Sequence, residues 1–343
     1  MKKLQNVLYI LTEGTYIHVD GETVAVMNGQ TTIGRFPAHI LEGIACFGNT
    51  TVSTPLIALC GEWGISMAFF SDNGRFMGRI EGPTRGNVLL RTNQYRVCAD
   101  DNTCTLARSM ALAKIANSRS LLLRSAREAD DARQGQEEEL REAASKMALI
   151  AGRLTEGVGK DTIRGLEGAA GQSYFSAFDA MLRSKSSMFR FELRSKRPPQ
   201  NPVNALLSFL YALLVNDYRS ALEGVGLDPF VGFLHSMRPG RPALALDLME
   251  ELRSPLCDRL AISLINLKSI QENGFQFMPT GVLLNDKGRR ETIDAWQKRK
   301  RESIQHPFLN EEVQIGLIPH LQAQLLARHL RGDLEEYPPF LWR

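Results

Sequence analysis

Residues 76–90, FMGRIEGPTRGNVLL, contain the point at which the pattern of the chain changes. Before the Gly82-Pro83 pair, short apolar runs rich in β-branched and aromatic residues are separated by turn pairs, which is typical of strands. After it, apolar residues recur at helical spacing almost to the end. The 343 residues therefore predict an α+β protein, with a small, β-sandwich-like N-terminal domain carrying one helix at residues 1–83 and a larger all-α domain at residues 84–343.

Turn and capping residues predict details of the N-terminal domain. The pairs Asp20-Gly21 and Asn28-Gly29 and the triplet Asp72-Asn73-Gly74 lie between candidate strands, where such residues favour tight turns. Residues 53–63, STPLIALCGEW, place a capping serine before a proline and then apolar residues at helical spacing. We therefore expect a helix among the strands.

Composition places the chain among ordinary soluble globular proteins, with 43% hydrophobic and 23% charged residues. Five cysteines without paired spacing favour free thiols in the cytoplasm. The N-terminus reaches Glu13 before any long apolar region, which argues against a secretory signal. The most apolar helical stretch, residues 205–215, is too short to span a bilayer and predicts a core helix. We expect a cytoplasmic protein with no membrane partner.

Charge is segregated along the chain, although the formal net charge of +3 is too small to identify a nucleic-acid binder. Residues 181–200 and 287–301 are basic, whereas residues 128–142 are rich in acids. Basic faces of this kind favour a polyanionic partner. The alternative is that flexible cationic loops bind nothing specific.

Glu167 stands among glycines and alanines in residues 163–178, IRGLEGAAGQSYFSAF. In a helix, Gly168 and Gly171 share a face, so another element is expected to approach closely there. Glu167 and Tyr174 would project together from a neighbouring face. Taken alone, the ordinary interpretation of Glu167 is an exposed glutamate near a helix N-terminus, where the helix dipole favours it.

His235 follows an apolar run in residues 228–242, DPFVGFLHSMRPGRP, so it is expected to be partly buried. A histidine in such a place is most often a core residue that hydrogen-bonds a carbonyl, and a metal ligand is the less frequent alternative. Arg238 and Arg241 follow closely, and both guanidinium groups suit phosphate.

Residues 243–253, ALALDLMEELR, predict a helix with an apolar arc on one side and Asp247, Glu250 and Glu251 on the other. A solvated acidic face is the usual meaning of this pattern. Asp247 and Glu250 are three residues apart, however, so their carboxylates repel each other, and a divalent cation relieves that repulsion when a third ligand converges.

Glutamate, histidine and a further carboxylate form a mixed oxygen and nitrogen set that suits Mg²⁺ or Mn²⁺ better than structural zinc. Such ions serve phosphoryl transfer, because they stabilise charge on the attacking and leaving oxygens. Spacing alone does not bring the three segments together.

Several motifs in one order resemble the family of CRISPR-associated integrases written Cas-one, and more specifically those of type I systems. The resemblance covers essentially the whole chain, in LARSMALAKIANSRSLLLR, RGLEGAAGQSYFSAF, RPPQNPVNALLSFLYALL, DPFVGFLH, ALALDLMEELRSPLCDR, QLLARHLRG and YPPFLW. It implies an N-terminal β domain through which two copies dimerise, followed by an α-helical catalytic domain.

The resemblance also implies a catalytic metal site that binds Mg²⁺ or Mn²⁺. Carried over onto the matching motifs, the ligands are Glu167 in GLEGAA, His235 in GFLH and Glu250 in DLMEE, with Asp247 as a possible ligand one turn earlier. The implied reaction is the attack of 3′ hydroxyls of captured DNA on a phosphodiester of the repeat array, and the same site also nicks DNA. No nucleotide cofactor is implied.

The partners implied by the resemblance are double-stranded DNA, as spacer precursor and as repeat array, and other proteins of adaptation. A homodimer would flank a dimer of Cas-two in a heterohexamer, and a Cas-four type nuclease is a possible further partner. The expected DNA contacts are the cationic residues of the basic segments: Arg190, Arg194, Lys196, Arg197, Arg238, Arg241, Lys298, Arg299, Lys300 and Arg301.

Two other functions stay open at this level. The chain could be a non-catalytic DNA-binding scaffold on the same fold, which is favoured if the three predicted ligands do not converge. It could also be a metal-dependent hydrolase of small phosphate esters, which would lack duplex affinity with a steep salt dependence.

Overall fold

The structure, a computed structural model, describes residues 6–71, 76–80, 88–99, 103–128, 134–184, 186–195 and 198–342. The chain forms two compact units, Met1–Gly86 and Asn87–Arg343. The first is rich in strands and the second is mainly helical, so the predicted α+β class is confirmed. The division between the units falls between Gly86 and Asn87.

The described part of the first unit contains eight strands and one α-helix: β1 (Asn6–Ile10), β2 (Thr15–Asp20), β3 (Thr23–Asn28), β4 (Thr31–Pro37), β5 (Leu41–Phe47), β6 (Thr50–Val52), α1 (Thr54–Trp63), β7 (Ser66–Phe70) and β8 (Phe76–Ile80). One sheet has the order β1-β5-β7-β8, with β1, β5 and β7 parallel and β8 antiparallel. The other has the order β4-β3-β2-β6, in which β2, β3 and β4 are antiparallel neighbours.

Both sheets and α1 contribute to one apolar core. Ile17 and Val24 come from the second sheet, Ile44 and Met67 come from the first, and Leu56 comes from α1. Each of these side chains is at most 2% exposed, so the strands bury one face as the period of two requires. The sandwich-like packing predicted for this unit is present.

The predicted turns and the predicted helix cap are found where the described residues include them. Gly21 and Gly29 close the β2-β3 and β3-β4 hairpins with φ of 59° and 58°, the left-handed region that glycine adopts without strain. The Ser53 hydroxyl accepts a hydrogen bond from the Leu56 N–H at 3.3 Å at the start of α1. The triplet Asp72-Asn73-Gly74 lies outside the described residues.

The second unit is built mainly from nine described α-helices: α2 (Val88–Ala99), α3 (Thr103–Arg127), α4 (Gln134–Ala151), α5 (Lys160–Ser176), α6 (Pro202–Val225), α7 (Ala243–Leu252), α8 (Arg259–Asn266), α9 (Asp286–Arg301) and α10 (Ile318–Arg331). A π-helical segment, Arg253–Asp258, joins α7 to α8. The long helix α3 packs against α4, α5 and α7, and α6 packs against α7 and α10. Helices α5 and α7 therefore both pack against α3.

Two small antiparallel sheets correct the prediction of an all-α second domain. Their strands are β9 (Phe275–Met278) with β10 (Gly281–Leu284), and β11 (Ser303–Gln305) with β12 (Glu312–Gln314). Runs of three or four residues carry too little alternation for the sequence to reveal them.

Helix α6 contains the predicted core helix of residues 205–215. Leu206, Leu207, Leu210 and Leu214 are fully buried, which confirms that this apolar stretch lies in the interior. None of the described helices combines the length and the apolar content needed to cross a membrane.

The first turn of α9 depends on a glycine for space. A Cβ at Gly288 would lie 2.1 Å from the Gly274 carbonyl oxygen and 2.9 Å from the Gly274 carbonyl carbon. These are backbone atoms, which cannot rotate away. By contrast, a Cβ at Gly165, on α5, would meet nothing within 4 Å.

We expect Gly288→Ala to lower the free energy of unfolding by about 1–3 kcal/mol, the usual cost of overpacking. Gly165→Ala is the matched control and is expected to leave stability unchanged or to raise it by about 0.5–1 kcal/mol, because alanine favours the helix. Urea unfolding followed by circular dichroism measures both. Equal stability of the two variants would contradict the close contact.

Candidate active site

The buried carboxylate of Asp247, on α7, organises the loop that carries His235. Its Oδ2 accepts the backbone N–H groups of Phe233 at 2.6 Å and Leu234 at 2.9 Å. Its Oδ1 accepts the His235 N–H at 2.8 Å and lies 2.7 Å from His235 Nδ1. Asp247 is 0% exposed, and hydrogen bonds from the loop satisfy both of its carboxylate oxygens, as a buried carboxylate requires. This contact fixes the imidazole and leaves Nε2 as the ring nitrogen that faces away from Asp247.

The same loop packs against α7 without room for a side chain at Gly232. A Cβ there would lie 2.6 Å from the Ala243 carbonyl carbon and 2.7 Å from Asp247 Oδ2. The Pro229 carbonyl accepts the Leu244 N–H at 2.9 Å, which satisfies a donor in the first turn of α7. The loop and the helix N-terminus therefore form one packed corner.

Glu167 and Glu250 reach the same cation, the ammonium group of Lys114. Lys114 projects from α3, its Nζ lies 2.9 Å from Glu250 Oε2, and it donates a hydrogen bond to Glu167 Oε1. The side chains of Lys114, Glu167 and Glu250 are 12%, 22% and 5% exposed. Carboxylates from α5 and α7 thus meet at one partly buried position.

A second cation, Arg253, holds Glu250 from the other side. One guanidinium nitrogen donates to both carboxylate oxygens, at 2.6 and 2.8 Å, and the guanidinium stacks over the Tyr211 ring at 4.5 Å. Burial by itself would raise the pKa of Glu250, but Arg253, then Lys114 and His235, lower that pKa to about 2. Glu250 is therefore ionised at neutral pH, and His235 lies close enough to contribute to its charge state.

Tyr174 anchors α5 to the segment that follows α7. Its hydroxyl donates to Asp258 Oδ2 at 2.9 Å, and the Tyr211 hydroxyl donates to Asp258 Oδ1. Burial raises the pKa of Asp258, and the nearby Arg253 opposes this effect. Glu167, two turns earlier on α5, and Tyr174 therefore both have polar partners in the interior of the unit.

Arg164 connects α5 to the His235 loop. Its Nε donates to the Leu234 carbonyl at 2.6 Å, next to His235. Side-chain contacts therefore connect each pair of the elements that carry the three predicted ligands. Arg164 connects α5 to the His235 loop, Asp247 connects that loop to α7, and Lys114 connects α5 to α7.

No group of three or more His, Cys, Asp or Glu side chains within the described ranges is placed to hold a metal ion. The three predicted ligands are therefore neighbours without forming a ready-made ligand cluster. In place of such a cluster, the Lys114 ammonium contacts both Glu167 and Glu250.

Two expectations about the site's surroundings are wrong. Asp247, Glu250 and Glu251 do not form a solvated face, since all three are buried. The prediction that another element packs closely on the glycine face of α5 also fails, because a Cβ at Gly168 or Gly171 would meet no described atom within 4 Å. The helix surface next to Glu167 is open instead.

The protein family described as CRISPR associated protein Cas1 matches residues 8–298, which is most of the chain. The chain belongs to this Cas1 family. A relative from Chlorobaculum tepidum, named CRISPR-associated endonuclease Cas1 1, is 46% identical over 345 residues, and the match covers 100% of each chain. The resemblance to the Cas-one family found in the sequence is therefore confirmed.

Solved structures share the fold of this Cas1-family chain. A CAS1 protein from Thermotoga maritima superimposes with a TM-score of 0.82 at 22% identity, and the match covers 96% of this chain and 97% of that one. A casposase bound to an integration product superimposes with a TM-score of 0.77 at 20% identity, covering 98% and 94%. At these identities the likeness shows the fold alone.

The sequence did not identify four residues that shape the site: Lys114, Arg164, Gly232 and Arg253. A lysine in the middle of the apolar stretch MALAKIA was the available signal for Lys114. Arg253 stands three residues after Glu250, which is the spacing of a helical ion pair. Arg164 and Gly232 depend on contacts distant in sequence, which the chain's local pattern does not reveal.

Three of the cationic residues predicted to contact DNA have charged groups that interact with other residues of this Cas1-family chain. Arg194 donates to Asn204 Oδ1 at 2.7 Å and to Ser208 Oγ at 3.1 Å. Lys300 is 3% exposed, and its Nζ lies 2.7 Å from Asp217 Oδ2. Arg299 pairs with Glu302, and its guanidinium lies over the Trp342 ring.

The other predicted contacts differ in their surroundings. Arg238, Lys298 and Arg301 are exposed, Arg241 is half-buried, and Arg190 is exposed but pairs with Asp179 at 2.8 Å. Lys196 and Arg197 lie outside the described residues. Of the predicted contacts that the structure describes, Arg190, Arg238, Lys298 and Arg301 are therefore the exposed ones.

Glu251, the neighbour of Glu250 on α7, faces the C-terminal segment. It is fully buried, and its carboxylate accepts hydrogen bonds from Tyr337 Oη at 2.7 Å, Phe340 N at 2.8 Å and Gln322 Nε2 at 2.9 Å. Burial raises the pKa of Glu251 from 4.5 to about 7, although these hydrogen bonds lower it.

We expect this pKa to make the free energy of unfolding fall as pH rises from about 4.5 to about 7. In that window the unfolded chain has released the proton while the folded chain keeps it, so raising the pH favours unfolding, by roughly 3 kcal/mol across the window. Glu251→Gln cannot titrate and should lose this component. Urea unfolding across pH compares it with wild type.

Glu138→Gln, which changes an exposed glutamate of α4, is the matched control and should follow the wild-type pH profile. Groups that titrate in all three proteins cancel in the comparison. Parallel profiles for wild type and Glu251→Gln would show that Glu251 is ionised in the folded chain below pH 7.

Proposed function

We propose that this chain is a metal-dependent DNA endonuclease and integrase of CRISPR adaptation. The observation that carries the proposal is the Lys114 ammonium between the Glu167 and Glu250 carboxylates, because two acids from different helices hold a cation there. The name of the Chlorobaculum tepidum relative, an endonuclease, supports the nuclease activity. The integration product in the casposase structure supports strand transfer on this fold.

Glu167, His235 and Glu250 are the proposed ligands of Mg²⁺ or Mn²⁺. Two carboxylates and one imidazole suit these ions, and the Lys114 ammonium between the carboxylates supports a cation at that position. We assign Asp247 to orienting His235, since both of its oxygens accept hydrogen bonds from residues 233–235. When bound, the ion supplies charge stabilisation at the scissile phosphate.

The proposed integration step exchanges one phosphodiester for another. The 3′ hydroxyl of captured DNA attacks a repeat phosphorus, so one P–O bond forms, the bond to the leaving 3′ oxygen breaks, and the proton passes to that oxygen. Nicking follows the same course with water as the nucleophile. The chain's own residues contribute position: Asp247 holds the His235 ring, and Arg253 keeps Glu250 ionised and oriented.

DNA contact is proposed for the exposed cationic residues, namely Arg190, Arg238, Lys298 and Arg301, together with Arg241, Lys196 and Arg197. Arg194, Arg299 and Lys300 are assigned to the fold because their charged groups have partners within the chain. Phosphate contacts of this kind position a duplex without reading its sequence, so array specificity would come from DNA shape and from base contacts.

The proposed assembly is a homodimer, formed through the N-terminal unit, that joins a Cas2 dimer in a heterohexamer in the cytoplasm. A structural neighbour titled Cas6-RT-Cas1–Cas2 complex, with a TM-score of 0.84, supports a Cas2 partner. A Geobacter sulfurreducens relative, 34% identical over 347 residues, is named a Cas4 exonuclease and Cas1 endonuclease fusion, which supports a Cas4-type nuclease as a further partner.

Glu167→Gln should abolish DNA nicking and strand transfer while leaving duplex affinity nearly intact. The substitution keeps the size of the side chain and removes the charge proposed to hold the metal. Strand transfer in Mn²⁺ and DNA affinity across a salt series measure the two effects. Glu138→Gln is the control with unchanged activity. Full strand transfer by Glu167→Gln would remove the catalytic assignment of Glu167. Duplex binding by wild type without any nicking or strand transfer would favour a DNA-binding scaffold.

The binding arm of this experiment uses Lys298→Gln combined with Arg301→Gln. Both residues are exposed, so the double variant should fold normally, bind duplex DNA less tightly and show a flatter salt dependence. Each lost phosphate contact should reduce the log–log slope by roughly 0.9. A chain that shows no salt-dependent duplex affinity at all would instead fit a hydrolase of small phosphate esters.

The chain in solution should have about twice its mass of 38.3 kDa in light scattering. The N-terminal unit is small and leaves large apolar side chains exposed at Ile33, Ile40, Trp63 and Met77, which favours pairing through this unit. A monomer that persists at tens of micromolar would contradict the homodimer, since stable dimers are expected to form well below that concentration.

A further inference from the structure

Lys114 is positioned as an internal counter-ion of the candidate metal site. Its Nζ lies 2.9 Å from Glu250 Oε2 and donates to Glu167 Oε1, so one ammonium bridges carboxylates from α5 and α7. Its side chain is only 12% exposed, although lysine is a residue that is almost never buried without a partner. The two carboxylates are therefore the reason that the lysine can lie there.

The four charged groups of the Glu167, Glu250, Lys114 and Arg253 cluster balance without any added ion. Glu167 and Glu250 supply two negative charges, and Lys114 and Arg253 supply two positive charges. A divalent ion that entered between the two carboxylates would meet an ammonium that already occupies that position. Its binding is therefore coupled to the withdrawal of one of the cations.

Lys114 is the cation that can leave. Arg253 donates to both oxygens of Glu250, and its guanidinium stacks on Tyr211, so its planar group is fixed on two sides. Lys114 is a point charge at the end of a flexible four-carbon chain, and its contacts to Glu167 and Glu250 can be broken by side-chain rotation alone.

We propose that Lys114 holds Glu167 and Glu250 together in the metal-free protein and competes with the divalent ion for the position between them. This inference rests on the proposed function, because it concerns the same metal site. Lys114 is thus a positioning residue: it stabilises the ligand pair before the metal arrives, and it sets the metal affinity by the cost of its own displacement.

The proposal predicts two effects of opposite direction when the charge of Lys114 is removed. Metal-free protein should become less stable, because two carboxylates then face each other without a bridging cation. Metal affinity should rise, because the ion no longer has to displace an ammonium. If Lys114 had only a structural role, its replacement would instead lower both the stability of the metal-free protein and its metal affinity, because the ligands would become disordered.

The test compares wild type, Lys114→Met and Lys146→Met by calorimetric titration with Mn²⁺ and by thermal unfolding in a chelator. Methionine keeps an unbranched side chain and removes the charge. Lys114→Met should bind Mn²⁺ about tenfold more tightly or better, which corresponds to about 1.4 kcal/mol, and should unfold at a lower temperature without metal. Lys146 forms an exposed pair with Glu142 on α4, so Lys146→Met should match wild type in both.

The outcomes separate this inference from the proposed function. Mn²⁺ binding by wild type with equal or weaker binding by Lys114→Met overturns the competition while leaving the metal site in place. An absence of Mn²⁺ binding in wild type contradicts the metal site itself, and the inference with it.

A second measurement follows Lys114 in wild-type protein, with a charge-conserving variant used only for assignment, in case Lys114→Met does not fold. The lysines are dimethylated with ¹³C-formaldehyde and a mild reductant, and Lys114→Arg identifies the Lys114 signal by its loss from the NMR spectrum. Saturation with Mg²⁺ should shift the Lys114 signal and leave the Lys146 signal in place. An unmoved Lys114 signal at saturation overturns the proposal.

Discussion

The second unit depends on the neutralisation of three buried acids on one short helix. Asp247, Glu250 and Glu251 all lie on α7 and are at most 4% exposed, and a buried carboxylate is costly unless it is hydrogen-bonded or paired. Each acid draws its partners from a different part of the chain. The loop at residues 233–235 satisfies Asp247, Lys114 and Arg253 satisfy Glu250, and residues 322, 337 and 340 satisfy Glu251. Helix α7 thus fixes the site loop, α3 and the C-terminal segment at once.

The three acids differ in function because their partners differ. Asp247 accepts four contacts from one loop and has no oxygen left over, so it orients His235. Glu250 is paired with cations, which keep it ionised and suited to exchange one cation for another. Glu251 has only neutral donors, and burial therefore raises its pKa to about 7. One helix with three similar side chains thus carries a residue that orients His235, a proposed metal ligand and a carboxyl group that keeps its proton up to about pH 7.

Local patterns in the sequence predict turns and helix ends correctly, but they do not reveal the distant side chains that pair with buried charged residues. Gly21, Gly29 and Ser53 act within a few residues of themselves, and the turns and the helix cap that they predict are present. The acidic arc of α7 looked solvated because its partners come from residues far away in the chain. The same limit applies to Arg194 and Lys300, whose intramolecular partners Asn204 and Asp217 are not evident from the local charge pattern that suggested DNA contact. The proposed ligand set came from the motifs rather than from the spacing.

The site is closely packed on the side of α7 and its loop and more open on the side of α5, as the space around the glycines indicates. Gly232 has backbone and carboxylate atoms closer than 3 Å to the position of a Cβ, so the α7 side of the site is closed. Gly165, Gly168 and Gly171 on α5 have none within 4 Å, and Glu167 between them is the more exposed of the two bridged glutamates. A helix surface formed by glycines lets a sugar–phosphate backbone approach closely without meeting a side chain. The α5 side is therefore the side from which the proposed DNA substrate would approach, while α7 and its loop hold the proposed ligands in place from the opposite side.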